Sequence, residues 1–324
     1  MNSSDCIIYG LGYIGLPTAV YLASMNIKVY GLDIDKKIVK NINNGKIDTT
    51  ESGLSEMLLV ALAKNNFKAG HTYLKSDIHI IVVPTPFKEN NEPDISIVEN
   101  VAANLSTTVK EGDLIILEST SPVGTTERVA EIIYSRRQDL KSKLYFAYCP
   151  ERVLPGQIFQ ELKNNDRVIG GINLESSNKA KLFYQKFVEG NLHITDCRTA
   201  EMCKLVENAS RDVQIAFANE LSIICDKANI NVWKLIDLAN KHPRVNILSP
   251  GCGVGGHCIA VDPYFISSQF PLESKIIGKA REINNYKSIW CFEKIMDEIN
   301  ILKKIKGNSF KVGIFGLAFK PDID

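Results

Sequence analysis

Two stretches of this chain carry residues able to do covalent or acid–base chemistry. The first is Gly-Cys-Gly-Val-Gly-Gly-His-Cys-Ile-Ala-Val-Asp over 251–262, which sets Cys258 beside His257 and four residues before Asp262. A thiol surrounded by backbone amides is favoured as thiolate, the nucleophilic form. The same loop also reads as a flexible turn around a buried cysteine. Zinc binding by Cys252, His257 and Cys258 is disfavoured, because the spacing is wrong and no fourth ligand is near, so no metal is expected. The second stretch is helical. Glu201, Lys204, Asn208 and Arg211 fall at spacings of three, four and three and share one helix face. Such a stripe is usually solvated. Here Leu205, Val206, Ala209 and Val213 between its members are apolar or small. A stripe on a mostly buried helix must be satisfied by a ligand or by partner side chains.

A third motif is Gly10-Leu-Gly12-Tyr13-Ile14-Gly15, which fits GxGxxG and has Asp33 18 residues after Gly15. The glycine pattern alone is weak. It gains weight because it follows a strand, opens a helix, and has the acid at the end of the next strand. Gly10 allows the tight turn, Gly12 lets a pyrophosphate approach the backbone, and Gly15 allows close helix–strand packing. Asp33 would accept hydrogen bonds from a ribose hydroxyl and repel a 2′-phosphate, so NAD is expected rather than NADP. Thr85, Thr120 and Thr126 follow later strands, where they either contact the cofactor or cap turns and helices.

These motifs need elements to hold them. Apolar runs at 6–9, 28–33, 78–83, 114–117 and 144–148 read as strands, and 17–25 and a stretch from about Lys36 read as helices. The alternation predicts an α/β, Rossmann-like, doubly wound parallel sheet, with ligands in the crevice beyond the strands' carboxyl ends. Residues 199–229 contain no Gly or Pro and predict a long helix able to form a dimer interface. The glycine-rich loop 250–263 and a helix over about 272–305 follow. Residues 311–316 read as a strand opening another α/β unit, which stops at Asp324, so truncation is expected. The domains expected are an NAD-binding domain over 1–198, a helical central and dimerisation domain with the cysteine loop over 199–305, and at 306–324 the start of a truncated C-terminal nucleotide-binding domain.

Composition sets outer limits. With 45% apolar and 23% charged residues the chain is an ordinary globular one, able to build its core without disulfide or metal staples. A net charge of +1 gives no electrostatic case for nucleic acid or an anionic membrane surface. No run approaches the ~18 apolar residues of a membrane span. The eight cysteines are scattered without a CxxC, which fits a reduced, cytoplasmic compartment.

The ordered strings GLGYIGLP, VPTPF, ESTSPVGTTE, YCPERVLPG, RVIGG, TAEMCKLVENASRD, HPRVNI, PGCGVGGHCIAVDP and FGLAFKPDID run through the whole chain. By them the chain resembles the UDP-glucose/UDP-mannuronate dehydrogenase family. PERVLPG, where glucose enzymes carry a PEFL-type sequence with a further glutamate, and HPRVNI resemble the UDP-N-acetyl-D-mannosamine branch. The resemblance implies an NAD-dependent four-electron oxidation of a UDP-sugar at C6, giving UDP-N-acetyl-D-mannosaminuronate for surface polysaccharide. Rival readings are the same chemistry on UDP-glucose or UDP-N-acetylglucosamine, a one-hydride 3-hydroxyacid or phosphogluconate-type dehydrogenase, and a non-catalytic NAD-binding module. Cys258 in GGHC argues against the second rival. By resemblance Cys258 is the nucleophile, Lys204 stabilises the oxyanion and moves protons, and Asn208 and Asp262 order the water and Lys204. Glu151, the glutamate of the PE motif, serves as general base. Arg152, Val153, Arg211 and Gly255 line the sugar-nucleotide site. His242 and Arg244 reach a neighbouring subunit's substrate in a homodimer that shares its sites. Phe319 and Lys320 begin a C-terminal substrate motif.

Overall fold

The computed structural model describes residues 4–316 apart from 50, 90, 155 and 257. The chain divides after Lys204 into two compact units. Among the described residues the first unit holds eight strands: β1 (Cys6–Tyr9), β2 (Val29–Leu32), β3 (Phe67–Gly70), β4 (Ile78–Ile81), β5 (Leu114–Leu117), β6 (Tyr145–Tyr148), β7 (Arg167–Gly171) and β8 (Leu192–Asp196). They form one sheet in the order β3-β2-β1-β4-β5-β6-β7-β8. Every neighbouring pair is parallel except β6 with β7. The chain runs outward from β1 to β3, then returns to lay β4 on the other side of β1. That reversal is where a doubly wound sheet opens a crevice for ligand.

The sheet is covered on both faces. Its helices are α1 (Gly15–Ser24), α2 (Lys36–Asn43), α3 (Leu54–Ala63), α4 (Ser96–Leu105), α5 (Thr125–Arg136), α6 (Ile158–Asn164) and α7 (Leu174–Tyr184). Cys6 and Ile8 of β1 join a core with α1, α3 and α7, while Ile7 and Tyr9 join another with α4 and α5. A strand buried on both faces must be apolar throughout, and this is why β1 reads as an unbroken run. Each such aliphatic side chain contributes about 1.5–3 kcal/mol when fully buried.

Helix α8 (Cys197–Lys227) leads out of the first unit, and 31 residues give it a length of roughly 46 Å. Asp196 accepts the Thr199 N–H at its start. The second unit adds α9 (Val232–Ala239), α10 (Asp262–Gln269) and α11 (Lys275–Lys306). Polar pairs fasten α8 to α11. The buried Arg281 donates to Asp212 Oδ1 at 2.6 Å, Asn284 donates to the same oxygen at 2.7 Å, and Asn219 donates to Asn284 at 2.8 Å. Buried charges survive when paired and hydrogen-bonded in this way.

The long helices expected over 199–229 and 272–305 are present with bounds shifted by a few residues. The strand expected over 311–316 is not: that stretch is irregular. A strand exists only where a neighbour takes its backbone hydrogen bonds, and no described segment pairs with it. Phe319 and Lys320 lie outside the described residues.

Candidate active site

The glycine loop after β1 is held from several sides. A Cβ on Gly10 would lie 2.2 Å from Val82 O, and one on Gly15 would lie 2.0 Å from Gly10 O. Both positions therefore exclude any side chain. Gly12 differs: a Cβ there would meet nothing within 4 Å. Its backbone faces open space, as a loop that admits a pyrophosphate must. Asp33, at the end of β2, accepts the Leu11 N–H on Oδ2 at 2.8 Å and the Asp35 N–H on Oδ1 at 2.9 Å. Its carboxylate is thus clamped beside the loop, and each oxygen keeps a lone pair for a ribose hydroxyl. These features fit a dinucleotide. Tyr13 is half exposed, whereas Ile14 packs against the core under the loop.

The threonines behave unequally. Thr85 Oγ1 donates to Thr120 O at 2.7 Å, joining the loops that follow β4 and β5. Thr126 Oγ1 and its N–H both donate to Glu201 Oε1 at 2.7 Å, and Gly124 N–H donates to Glu201 Oε2 at 2.6 Å. Glu201 is fully buried, and burial raises its pKa against the pull of those bonds. The polar stripe on α8 is therefore split. Glu201 is satisfied by partner groups at the start of α5, Lys204 and Asn208 are half-buried, and Arg211 is exposed.

Beyond β6 the PE motif carries a buried charge cluster. Glu151 Oε2 accepts from both Nη atoms of Arg167 at 3.1 Å, and its Oε1 accepts the Arg152 N–H at 2.8 Å. Tyr184 OH donates to Glu118 Oε1 at 2.5 Å, and Glu118 Oε2 has no hydrogen-bond partner. Burial, then the nearby charge of Glu151, pushes Glu118 up to about 7, with Arg167 opposing. Burial likewise pushes the Cys149 thiol up to about 12, an inert setting for a cysteine. The Arg152 side chain donates to Asp166 O, and Val153 packs against the core. Sequence reasoning missed Glu118 as an ionisable group and Arg167, because their partners Tyr184 and Glu151 stand 66 and 16 residues away on other elements.

In the second unit Cys258 is exposed, and its carbonyl accepts the N–H groups of Val261 at 3.0 Å and Asp262 at 2.8 Å. This turn delivers the chain into α10, whose first residue, Asp262, is 2% exposed. Asn208 Nδ2 donates to Asp262 Oδ2 at 2.6 Å. So Asn208, 54 residues earlier in the chain, is brought onto the short turn that carries Cys258 and Asp262. The loop is also tied down earlier: Gly251 N–H donates to Asn219 Oδ1 and Ser288 Oγ to Cys252 O, each at 2.9 Å. His257 lies outside the described residues. Gly255 is exposed, as are His242 and Arg244 beyond α9, where Arg244 N–H donates to His242 Nδ1 at 3.4 Å.

A sheet with its switch point at a glycine loop, and a fixed turn carrying an exposed cysteine, match known proteins directly. Residues 4–188 match the NAD binding domain of the UDP-glucose/GDP-mannose dehydrogenase family, and residues 198–286 match its central domain. The chain belongs to the UDP-glucose/GDP-mannose dehydrogenase family. It is an NAD-dependent oxidoreductase. It is 52% identical to the UDP-N-acetyl-D-mannosamine dehydrogenase of Campylobacter jejuni over 98% of this chain and 79% of that one. It is 46% identical to the NDP-N-acetyl-D-galactosaminuronic acid dehydrogenase of Ralstonia nicotianae, over 98% of this chain and 76% of the relative. Among solved structures, the UDP-N-acetyl-mannosamine dehydrogenase of Staphylococcus aureus superposes with a TM-score of 0.86 at 42% identity, covering 98% of this chain and 75% of that one.

Proposed function

We propose that this chain oxidises the C6 hydroxyl of UDP-N-acetyl-D-mannosamine to the carboxylate, using two NAD per sugar, for surface polysaccharide. The observation that carries the chemistry is the exposed Cys258 on a turn pinned by the Asn208–Asp262 bond. The choice of sugar is supported by the names of the most similar relatives.

NAD, held at Gly10, Gly12, Tyr13, Gly15 and Asp33, supplies the hydride acceptor for both oxidations. Loss of a hydride from C6 and of the hydroxyl proton, which Lys204 relays, turns the alcohol into an aldehyde. The Cys258 thiolate adds to the aldehyde carbon, and the carbonyl oxygen takes up a proton, giving a thiohemiacetal. Loss of a second hydride and of that proton leaves a thioester. Water adds to the thioester, the C–S bond breaks, and uronate and the thiol are released. Lys204 places positive charge on the oxyanions and relays their protons. Asp262 and Asn208 hold the attacking water and orient Lys204. Glu151 acts as general base; both its oxygens already accept hydrogen bonds, so a proton taken there competes with Arg167. Arg152, Val153, Arg211 and Gly255 contact the sugar nucleotide, with Phe319 and Lys320 belonging to the same reading. Thr85, Thr120 and Thr126 border the cofactor, with the Thr126 hydroxyl and N–H both held by Glu201.

A homodimer belongs to the proposal, with His242 and Arg244 serving the partner's substrate. Its support is the apolar surface of the second unit: Phe217 and Ile224 on α8, Trp233 on α9 and Phe292 on α11 are each more than half exposed. Sedimentation velocity tests it, and a monomer at micromolar concentration sinks it. A cytoplasmic setting is supported by eight cysteines, none of which forms a disulfide. Among the described residues no helix is long and apolar enough to cross a membrane.

The deciding experiment supplies a panel of UDP-sugars with NAD and counts NADH per uronate. Two NADH with UDP-N-acetylmannosamine favoured is expected. One NADH with free aldehyde would overturn the covalent route, and preference for UDP-glucose would overturn the substrate.

A further inference from the structure

Glu51 lies between α2 and α3, within the first unit, and is 5% exposed. No motif includes it. Its carboxylate accepts three hydrogen bonds from two separate places. Oε1 accepts from Tyr13 OH at 3.0 Å and from the N–H of Gly156, and Oε2 accepts the Ile158 N–H at 3.2 Å. Tyr13 stands between Gly12 and Gly15 in the glycine loop. Gly156 ends the Glu-Arg-Val-Leu-Pro-Gly segment after β6, and Ile158 begins α6.

We infer that Glu51 is a positioning residue that couples occupancy of the dinucleotide loop to the backbone geometry at Gly156, in the loop after β6. The inference rests on the proposed placement of NAD at the first loop and of the sugar nucleotide at the second. A carboxylate oxygen has two acceptor sites, and Oε1 uses them on one donor from each loop. Movement of Tyr13 therefore changes the geometry offered to Gly156. The Tyr13 ring is 49% exposed, so a ligand on the glycine loop can reach it. Glutamine cannot replace the carboxylate here. Three donors converge on Glu51, and an amide NH₂ would face one of them, leaving a buried donor without an acceptor.

Coupling of this kind is a ratio of affinities and is reciprocal between the two ligands. The test is calorimetry of UDP-N-acetylmannosamine binding with and without saturating NADH, on wild type, Tyr13→Phe and Glu51→Gln. The wild type is expected to bind the sugar nucleotide roughly fivefold or more tightly when NADH is present. In both variants that factor falls towards one. Thermal melting separates this from damage to the fold. Tyr13→Phe removes one hydroxyl at a half-exposed ring and should shift Tm by no more than about 2 °C. Steady-state kinetics should show KM for the sugar nucleotide rising more than kcat falls. Variants that keep the wild-type factor, or a wild type with a factor of one, overturn the inference while leaving the dehydrogenase reading intact. A wild type that binds no UDP-sugar overturns both.

Discussion

The molecule has two glycine-rich loops, each leading into a helix, and they do not use glycine alike. In the loop after β1, Gly10 and Gly15 are forced: a Cβ would strike backbone oxygens at 2.2 and 2.0 Å. Backbone atoms of a sheet cannot yield, so the residue choice is dictated by packing. In the cysteine loop, a Cβ on Gly251 would find its nearest neighbour at 3.7 Å, while Gly253 is required by its φ of 144° and by the bonded Ser288 Oγ, 2.1 Å from where its Cβ would lie. At Gly251, then, glycine is not required by crowding. The first loop is a rigid cradle whose function follows from its shape. The second is a tethered turn whose function depends on what Cys258 can do.

The largest expected effect tests that second half. Cys258→Ser should lower uronate formation on the order of 10⁴-fold or more, because a serine alkoxide is far harder to form than a thiolate. The first oxidation should suffer less, and an aldehyde-level adduct should accumulate on the mutant in mass spectra taken during turnover. Undiminished uronate output would remove Cys258 from the mechanism and make the two loops alike as mere scaffolding.

A second contrast lies in the buried charges. In the helical unit Asp212 faces Arg281 one to one, with Asn284 assisting. In the sheet unit two carboxylates, Glu118 and Glu151, face a single Arg167, and Glu118 rises to about 7. A carboxyl whose folded pKa lies above its unfolded value contributes stability fully below about 4.5, and loses it as pH rises through about 7. Glu118→Gln keeps the neutral shape at every pH. Its stability relative to wild type should therefore improve between pH 5 and pH 8, by up to roughly 3 kcal/mol. Urea unfolding at the two pH values measures this. A difference independent of pH would mean that Glu118 stays ionised and the two clusters are balanced alike.

What could be read from the sequence follows the same division. Strands β1, β2, β4, β5 and β6 show as apolar runs because they are buried on both faces. Strand β3 (Phe-Lys-Ala-Gly) and strand β8 (Leu-His-Ile-Thr-Asp) lie at the sheet's edges and are partly polar, so no run marks them. The glycine loop and Asp33 were legible because their constraints are local. Glu51 and Glu118 were not, since partners of theirs lie 105 and 66 residues away; Glu201 stood out on its helix face as a group needing partners, but Thr126, 75 residues earlier, was not legible as that partner. The nucleophile reading of Cys258 stood in its glycine loop, whereas the roles of Lys204 and Asn208 rest on resemblance. The strand over 311–316 failed because an apolar run specifies a strand only together with a partner.

The contrast between crowded and open glycines gives the next prediction. Gly10→Ala combines a positive φ of 96° with a clash at Val82 O, and should destabilise the sheet unit by about 1–3 kcal/mol. NAD affinity should fall with it. Gly251→Ala has room and an ordinary φ, so its stability should stay within about 1 kcal/mol of wild type in either direction. Chemical denaturation of both variants decides. Equal losses would show that the cysteine loop is as tightly specified as the cradle.

The smallest effect concerns Asp33, where the cradle does two jobs at once. Its Oδ2 fixes the Leu11 N–H of the loop, while the carboxylate charge faces the place proposed for the adenosine ribose. Asp33→Asn keeps one oxygen acceptor of nearly the same shape and removes the charge. If the charge excludes a 2′-phosphate, the ratio of kcat/KM for NAD over NADP should fall about tenfold, equivalent to about 1.4 kcal/mol. Most of that change should come from a gain with NADP, because the repulsion is what has been removed. If Asp33 only clasps the loop, both cofactors should lose kcat/KM together and the ratio should stay fixed. Measuring the two cofactors side by side on the one variant thus separates recognition from support.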